Sequence, residues 1–402
     1  MKGSVMIDNR DVVVVGGGIG GLTAALCIAR TGARVTVLEQ TEKPREVGAG
    51  ILLMNNGLSA LAGLGIEAEL RSSGHDVRSA TLHDACGSVL TTIPVRDCGP
   101  GLDYALMLRR STLHRVLLDA VRAHPGITTR FGTRVSAATP SGRVSIGSPG
   151  GVSEIVADLV VAADGVHSTL RQHGDFGAQV RDLEALSIRG MVAAECSALA
   201  GLQEYWCPAG VFGGAPMGDG STYFFTSATK HPLPQIVALR DLKRFRDVWR
   251  AALPPVAPVL DQVRSFDDLY VTNIVRVDCR RWVHDRLVLL GDAAHAMPPN
   301  LGQGGSSAIL DAAVLAAELA AEPDQSEALR RYTQRRWPAV RAAQSKACRL
   351  FDLTESPLPG FSGLRNLAVR LAGLLPGATA RSGLLQEEPA RLYAETAALG
   401  GE

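Results

Sequence analysis

A glycine fingerprint, Gly16-x-Gly18-x-x-Gly21, stands directly after the β-branched run 12–15 and opens the helix-forming stretch 22–30, which Gly32 ends. Gly16 permits a tight strand-to-helix turn, Gly18 lets backbone approach a pyrophosphate, and Gly21 lets helix and strand pack closely. The helix N-terminus offers free N–H groups and a positive dipole end to phosphate. The unbroken apolar run suits a strand buried on both faces of a parallel sheet. Residues 34–38 read as the next strand, and Glu39 closes it 18 residues after Gly21. A carboxylate there accepts from ribose hydroxyls and repels a 2′-phosphate, so this βαβ unit predicts resident FAD or NAD rather than NADP.

A second constellation lies far downstream. The apolar run 287–290 leads into Gly291-Asp292-Ala293-Ala294-His295-Ala296-Met297-Pro298-Pro299-Asn300-Leu301-Gly302-Gln303-Gly304-Gly305. A buried strand delivers Asp292, small residues crowd around it, and a glycine-rich loop opens a helix near Ser306. Asp292 can accept from ligand hydroxyls, and the helix N-terminus stabilises negative charge. A plain NAD dehydrogenase has no use for this second ligand-shaped site, whereas a cofactor stretched across the domain does. Between the two, the strand 159–163 ends in Asp164-Gly165, with Arg171 further along; an ordinary strand–turn–helix carries the same pattern.

The remaining periodicities set the architecture. Residues 77–94 around Cys86-Gly87 predict a hairpin, 110–123 a helix, 134–156 a meander, and 186–229 a strand-rich segment turning at Asp219-Gly220. Residues 239–253 read as a helix and 269–277 as a strand. Helices follow at 306–321 and 327–350, then a mildly amphipathic one at 365–375 expected to pack on the cofactor domain. The fold class is α/β. A Rossmann-like dinucleotide domain in three pieces (1–75, 100–174, 278–350) is interleaved with a β-sheet-rich substrate domain (76–99, 175–277) and followed by a helical tail (351–402).

Composition narrows the partners. With 41 Lys+Arg against 40 Asp+Glu the net charge is +1, so the chain lacks the basic field expected of a nucleic-acid binder. Seven cysteines without C-x-x-C spacing read as free thiols, and no metal centre is expected. No uncharged apolar stretch reaches the ~18–20 residues a spanning helix needs. A cytoplasmic monomer or homodimer without a transmembrane segment is the expectation.

In their order and spacing, the fingerprint with Glu39, the Asp164-Gly165 motif, and Gly291-Asp292 with Pro298 and Gly302-Gln303-Gly304 resemble the FAD-dependent aromatic hydroxylases. These are single-component flavoprotein monooxygenases of the para-hydroxybenzoate hydroxylase-like fold. The resemblance spans roughly residues 10–350 and includes Arg45 with the following loop 48–51, and Arg110-x-x-Leu113 at a helix start. One departure is Leu310, where many members carry an acidic residue before the Asp matched by Asp311. The resemblance implies that Glu39 binds the adenosine ribose, Arg110 the pyrophosphate region, and Asp292 the ribityl chain or pyrophosphate. It places the Leu301, Gly302 and Gly304 backbone at the flavin pyrimidine edge and Pro298 near the ring. Asp164 and Arg171 belong to a motif used for FAD and for passing NADPH, and His295 reads as a packing residue. The implied cofactors are non-covalent FAD and transient NADPH or NADH. The implied reaction hydroxylates or epoxidises an aromatic or polycyclic molecule with O₂ through a flavin C4a-hydroperoxide. A flavin-dependent reductase or dehydrogenase of a small or lipid substrate, and a non-catalytic flavin protein, are the alternatives.

The substrate surface is expected on the β-rich segment. Pairing strands around Asp219-Gly220 puts Phe212, Gly214 and Pro216 on one face with Tyr223 and Phe225, preceded by Tyr205 and Trp206, and glycines beside aromatics suggest a slot for a planar ring. No residue stands out as a base, and whether Arg189 reaches the pocket is left open.

Overall fold

The computed structural model describes residues 10–43, 49–95, 103–148, 151–355, 361–373 and 386–400. Five strands of a six-stranded sheet run parallel, in the order Leu287–Leu289, Leu159–Ala162, Asp11–Val15, Arg34–Leu38, Ile127–Arg130, with Val283–His284 antiparallel at the edge beyond Leu287–Leu289. Val12–Val15 are buried, as an all-apolar central strand requires. Helix Ile19–Ala29 connects Asp11–Val15 to Arg34–Leu38 and is buried almost throughout. Against it lies helix Gly304–Ala321, where a Cβ at Gly20 would stand 3.0 Å from Ala308 Cβ. By length and composition this second helix is apolar enough to cross a membrane, but it is a core helix.

The second layer is a seven-stranded sheet in the order Tyr270–Asp278, Gln179–Val192, Thr222–Ala228, Gly210–Pro216, Leu202–Cys207, Ser79–Asp84, Val89–Pro94. The hairpin at Cys86-Gly87 thus joins strands from the 200s through the parallel pair Leu202–Cys207 and Ser79–Asp84. One face of this sheet is sealed by helices Leu233–Ala238, Leu242–Ala252 and Ala257–Gln262 around Phe212, Phe224, Phe245 and Trp249. Its opposite face meets a small sheet of Gly50–Leu53, Ala105–Arg109 and His75–Val77. A separate meander of Arg134–Ala138, Arg143–Ser148 and Gly151–Val156 completes the strands.

Three expectations are corrected. The helix expected over 239–253 starts later, at Leu242, and runs to Ala252, because Arg240 takes φ 54° and Asp241 caps the new start by accepting from the Arg244 N–H; a separate helix, Leu233–Ala238, precedes it. Helix Phe361–Gly373 does not pack on the dinucleotide sheet. It lies on the hairpin strand Val89–Pro94, with Val369 against Leu90 and Trp206, the Arg365 guanidinium 4.9 Å over the Trp206 ring, and Arg370 donating to Asp84 at 2.7 Å.

The third correction is the hairpin register. Phe212 pairs with Thr226, Gly214 with Phe224 and Pro216 with Thr222, while Tyr223 pairs with Ala215 and Phe225 with Gly213. Phe212, Gly214 and Pro216 therefore face away from Tyr223 and Phe225. The Met217 N–H donates to the Ser221 carbonyl, which leaves Gly218-Asp219-Gly220 as a three-residue loop rather than the two-residue turn the sequence suggested. One added loop residue moves every side chain of one strand to the opposite face relative to its partner.

Candidate cofactor and substrate site

Three strand ends converge at the C-terminal edge of the parallel sheet: the fingerprint after Asp11–Val15, Asp164 after Leu159–Ala162, and Asp292 after Leu287–Leu289. This edge is where open α/β sheets bind ligands. Gly16 has φ +106°, and a Cβ on it would stand 2.4 Å from the Ala163 carbonyl oxygen. At Gly21 a Cβ would stand 2.0 Å from the Gly16 carbonyl oxygen, so neither position admits a side chain without backbone movement. Gly18 differs: nothing lies within 4 Å of its would-be Cβ, and the same holds for Gly165 and Gly304. The glycines that frame the cleft face open space.

Glu39 turns back onto the fingerprint. Its carboxylate accepts from the Gly17 N–H at 2.7 Å and from the Thr41 N–H and hydroxyl at 2.8 and 2.9 Å. Both Thr41 bonds end on Oε1, so Oε2, which accepts only from Gly17, keeps lone-pair capacity for a ribose hydroxyl. His114, which the sequence reading missed, bonds the Gly17 carbonyl through Nε2 at 2.7 Å. It sits four residues after Arg110, one turn along helix Arg110–Ala123, which was the available signal.

The two adjacent arginines separate in role. Arg109 Nη2 donates to Asp219 at 2.8 Å and to Ser221 at 3.3 Å, so it pins the hairpin loop. Burial raises the Asp219 carboxyl, but Ser221 and Arg109 outweigh it and hold the group down at about 2. Arg110 is exposed, and no described residue pairs with its guanidinium. Arg45 lies outside the described residues.

Asp164 is a buried acceptor with unused capacity. Its Oδ2 accepts from the Leu170 N–H at 3.2 Å, its Oδ1 has no partner, and burial raises the carboxyl above its ordinary range. Asp292 is exposed at the start of the short helix Asp292–His295 and makes no hydrogen bond among the described residues. Arg171 is internal rather than a free cation: it donates to the Ala293 carbonyl at 3.0 Å and the Val166 carbonyl at 2.6 Å, tying the Asp-Gly turn to the Gly-Asp turn. Pro298 is buried, Leu301 half-buried, and Gly302 has φ +61°, which turns the loop into helix Gly304–Ala321. His295 is buried with Nε2 2.5 Å from Asp311, which also accepts from Gly291 N–H and Arg336. Burial raises the Asp311 carboxyl, yet His295 and Arg336 outweigh it and keep it ionised.

These features fit a bound dinucleotide: an open cradle at Gly18 and Gly304, a free cation at Arg110, an unpartnered buried acceptor at Asp164 and a free one at Asp292. Beyond the cleft, Leu52 touches the Gly302 end and packs with Met54, Met191, Tyr223 and Phe225. The seven-stranded sheet thus turns the Tyr223 and Phe225 face toward the cleft. Arg189, paired with Phe225, lies on that face. Its guanidinium lies 4.8 Å over the Tyr270 ring and donates to Thr272 at 2.5 Å, and its Nε has no partner.

Of the other proposed substrate contacts, Pro216 is half-buried at the end of its strand, and Tyr205, Phe212 and Gly214 are core. Phe212 stacks on Phe224 at 5.7 Å and meets Trp249 edge-on, and Tyr205, paired with Phe212, donates to the Ala198 carbonyl at 2.8 Å. A Cβ on Gly214 would meet Leu199 at 2.8 Å on that same side. Nor do the glycines leave a slot. The Phe225 ring lies over Gly213 and the Phe224 ring over Gly190, where a Cβ would meet them at 2.4 and 2.6 Å. Aromatic rings fill the gaps that cross-strand glycines leave.

Residues 9–347 match a family described as FAD binding domain. Among curated proteins, the chain is 33% identical to 2-heptyl-3-hydroxy-4(1H)-quinolone synthase of Mycobacteroides abscessus, covering 84% of this chain and 88% of that one. It is 31% identical to aurachin C monooxygenase/isomerase of Stigmatella aurantiaca, covering 80% and 83%. Among solved structures, Klebsiella pneumoniae HpxO complexed with FAD and uric acid matches with a TM-score of 0.76 and 26% identity, over 90% of this chain and 93% of that one.

Proposed function

Since the chain belongs to the FAD-dependent aromatic hydroxylases, we propose that it places one oxygen atom from O₂ on a planar, nitrogen-bearing fused aromatic ring, with NADPH or NADH as electron donor. The observation that carries the substrate class is the Arg189 face. An apolar wall of Met191, Tyr223 and Phe225 holds a single cation with an unused Nε donor. Such a surface suits a flat ring with one carbonyl or oxyanion edge. The relative named as a 2-heptyl-3-hydroxy-4(1H)-quinolone synthase, aligned over 84% of this chain, supports a ring of this class.

FAD, when bound, would supply the redox chemistry that links the nicotinamide to O₂. The chain's own residues bind and enclose. The N-terminus of helix Ile19–Ala29, open at Gly18, would hold the pyrophosphate, with Arg110 supplying positive charge. Glu39 would accept from the adenosine ribose, and Asp164 and Asp292 from the remaining hydroxyls. Pro298 and the Leu301–Gly304 backbone would bound the ring, with Gly304 leaving it room. On the substrate side, Arg189 orients the polar edge while Tyr223 and Phe225 keep water from the reacting face.

The free state of the six described cysteines supports a cytoplasmic protein. Assembly as a monomer or homodimer is checked by light scattering. The deciding experiment measures NAD(P)H oxidation and O₂ uptake by the FAD-loaded protein against 2-alkyl-4-quinolones, hydroxyquinolines, phenols and purines, with product mass under ¹⁸O₂. One ¹⁸O atom in a quinolone-type product is expected. Label from water, or turnover without O₂, overturns the monooxygenase reading; labelled product only from single-ring phenols overturns the substrate class.

A further inference from the structure

The loop that follows the Gly-Asp turn is held from below by a buried polar chain that ends at Gln386, just before helix Pro389–Ala398. Asp311 accepts from the Gly291 N–H at 3.0 Å through Oδ2 and from Arg336 Nε at 2.8 Å through Oδ1. Arg336 Nη2 donates to Gln386 Oε1 at 2.8 Å, and Gln386 Nε2 donates to Ser307 Oγ at 2.5 Å and Gln303 Oε1 at 3.3 Å. Asp311 and Arg336 are 0% exposed, Gln303 and Ser307 at most 1%. The two ends of the cofactor loop, Gly291 and Gln303–Ser307, are therefore joined through Asp311, Arg336 and Gln386.

Glu387 Oε1 also lies 3.5 Å from Arg336 Nη1, and the remaining tail contacts are made elsewhere. Arg335 grips Glu387 at 2.9 Å and Glu395 at 2.8 Å, Ser59 donates to the Pro389 carbonyl, and helix Pro389–Ala398 packs on helix Asn55–Gly63. Among the described tail residues, Gln386 is the one whose side chain reaches the loop. A carboxamide is what the position demands, since it accepts from a guanidinium and donates to a hydroxyl and a carbonyl at once. Without it, Arg336 loses an acceptor and the loop loses two donated hydrogen bonds where water is excluded.

We propose that Gln386 is a positioning residue of the cofactor loop, so that docking of the segment 386–400 and binding of FAD form one linked equilibrium. This rests on the FAD reading above. Linkage makes the effect reciprocal: FAD steadies the tail by the same factor by which the docked tail tightens FAD.

The test titrates FAD into apoprotein, followed by quenching of flavin fluorescence, for wild type, Gln386→Leu and Arg391→Ala. Arg391 lies on the same tail helix but makes only an exposed pair with Glu395 at 2.8 Å. The dissociation constant is expected to rise tenfold or more in Gln386→Leu and to stay within about twofold in Arg391→Ala. In wild type, amide exchange over 389–398 is expected to slow when FAD is added, a readout that needs no variant to fold. Wild-type protein that fails to bind FAD overturns the cofactor reading itself. Wild type that binds, with Gln386→Leu equal to it or with tail exchange indifferent to FAD, overturns the linkage alone. An equal loss in Arg391→Ala also overturns it, because general tail undocking would then be the cause.

Discussion

Two glycines of one fingerprint are expected to respond oppositely to the same added methyl group. At Gly21 the Cβ of Gly21→Ala would stand 2.0 Å from the Gly16 carbonyl oxygen and 3.4 Å from Ala163 Cβ. The close neighbour is backbone and cannot rotate away. Alanine gains up to about 1 kcal/mol in helix propensity over glycine, while overpacking of this kind costs about 1–3 kcal/mol and more where backbone must move. The net expectation is a loss of about 1–2 kcal/mol, a fall of a few degrees in the apoprotein's melting temperature. At Gly18 the backbone is extended at φ −77° and ψ −178°, and no atom lies within 4 Å of the added Cβ. Gly18→Ala should leave the apoprotein's melting temperature unchanged. The methyl instead occupies the space a pyrophosphate must cross. Displacing the phosphates from the helix N-terminus loses charge-assisted hydrogen bonds of about 1.5–3 kcal/mol, on the order of tenfold to a hundredfold in FAD affinity. Thermal melts of apoprotein and FAD titration by fluorescence separate the two effects. Wild-type FAD affinity in Gly18→Ala, or a wild-type melt in Gly21→Ala, would refute the reasoning at that glycine.

Asp292→Ala should weaken FAD by on the order of tenfold to a hundredfold without lowering the apoprotein melt, because the carboxylate is exposed and unpaired. His295→Ala should lower the melt instead, since it strips a partner from buried Asp311; the reverse pattern would invalidate both roles. Burial, with the Glu355 charge nearby, pushes the Glu204 carboxyl up to about 7, against a 2.6 Å hydrogen bond from the Trp206 indole that pulls it down. The folded state then holds a proton that the unfolded state releases near 4.5, so stability falls as pH rises from 4.5 to 7. Glu204→Gln should flatten that part of the melting-temperature profile and be the more stable protein at pH 7.5, and parallel profiles would contradict the shift. Phe212→Ala should cost about 3–5 kcal/mol by denaturant unfolding and leave ligand affinity alone, whereas Phe225→Ala should weaken quinolone binding, read from flavin difference spectra. Equal effects on binding would put both rings on one face, against the observed register.

The cofactor cleft was legible because its parts are local. Gly16, Gly18, Gly21 and Glu39 lie in one βαβ unit, and Asp164 and Asp292 each end an apolar strand, so short-range pattern placed them at the sheet edge where they are found. What failed was decided by contacts between distant segments. The Phe212 and Tyr223 faces turned on one loop residue at Gly218-Asp219-Gly220, held by Arg109 from over a hundred residues away. Arg171 was read as part of a motif serving FAD and NADPH, and only the folded chain shows its guanidinium enclosed by the Val166 and Ala293 carbonyls. Helix Phe361–Gly373 has one amphipathic pattern that fits either sheet; Leu90 and Trp206 settle its place. Gln386 carries no motif, and it matters only because Arg336 and Ser307 leave a donor and an acceptor there that water cannot satisfy. Backbone turns, helix starts and strand ends obey steric rules within a few residues, so sequence alone determines them. Side-chain partnership depends on which surfaces long-range packing brings together, and that is determined only when the chain closes on itself.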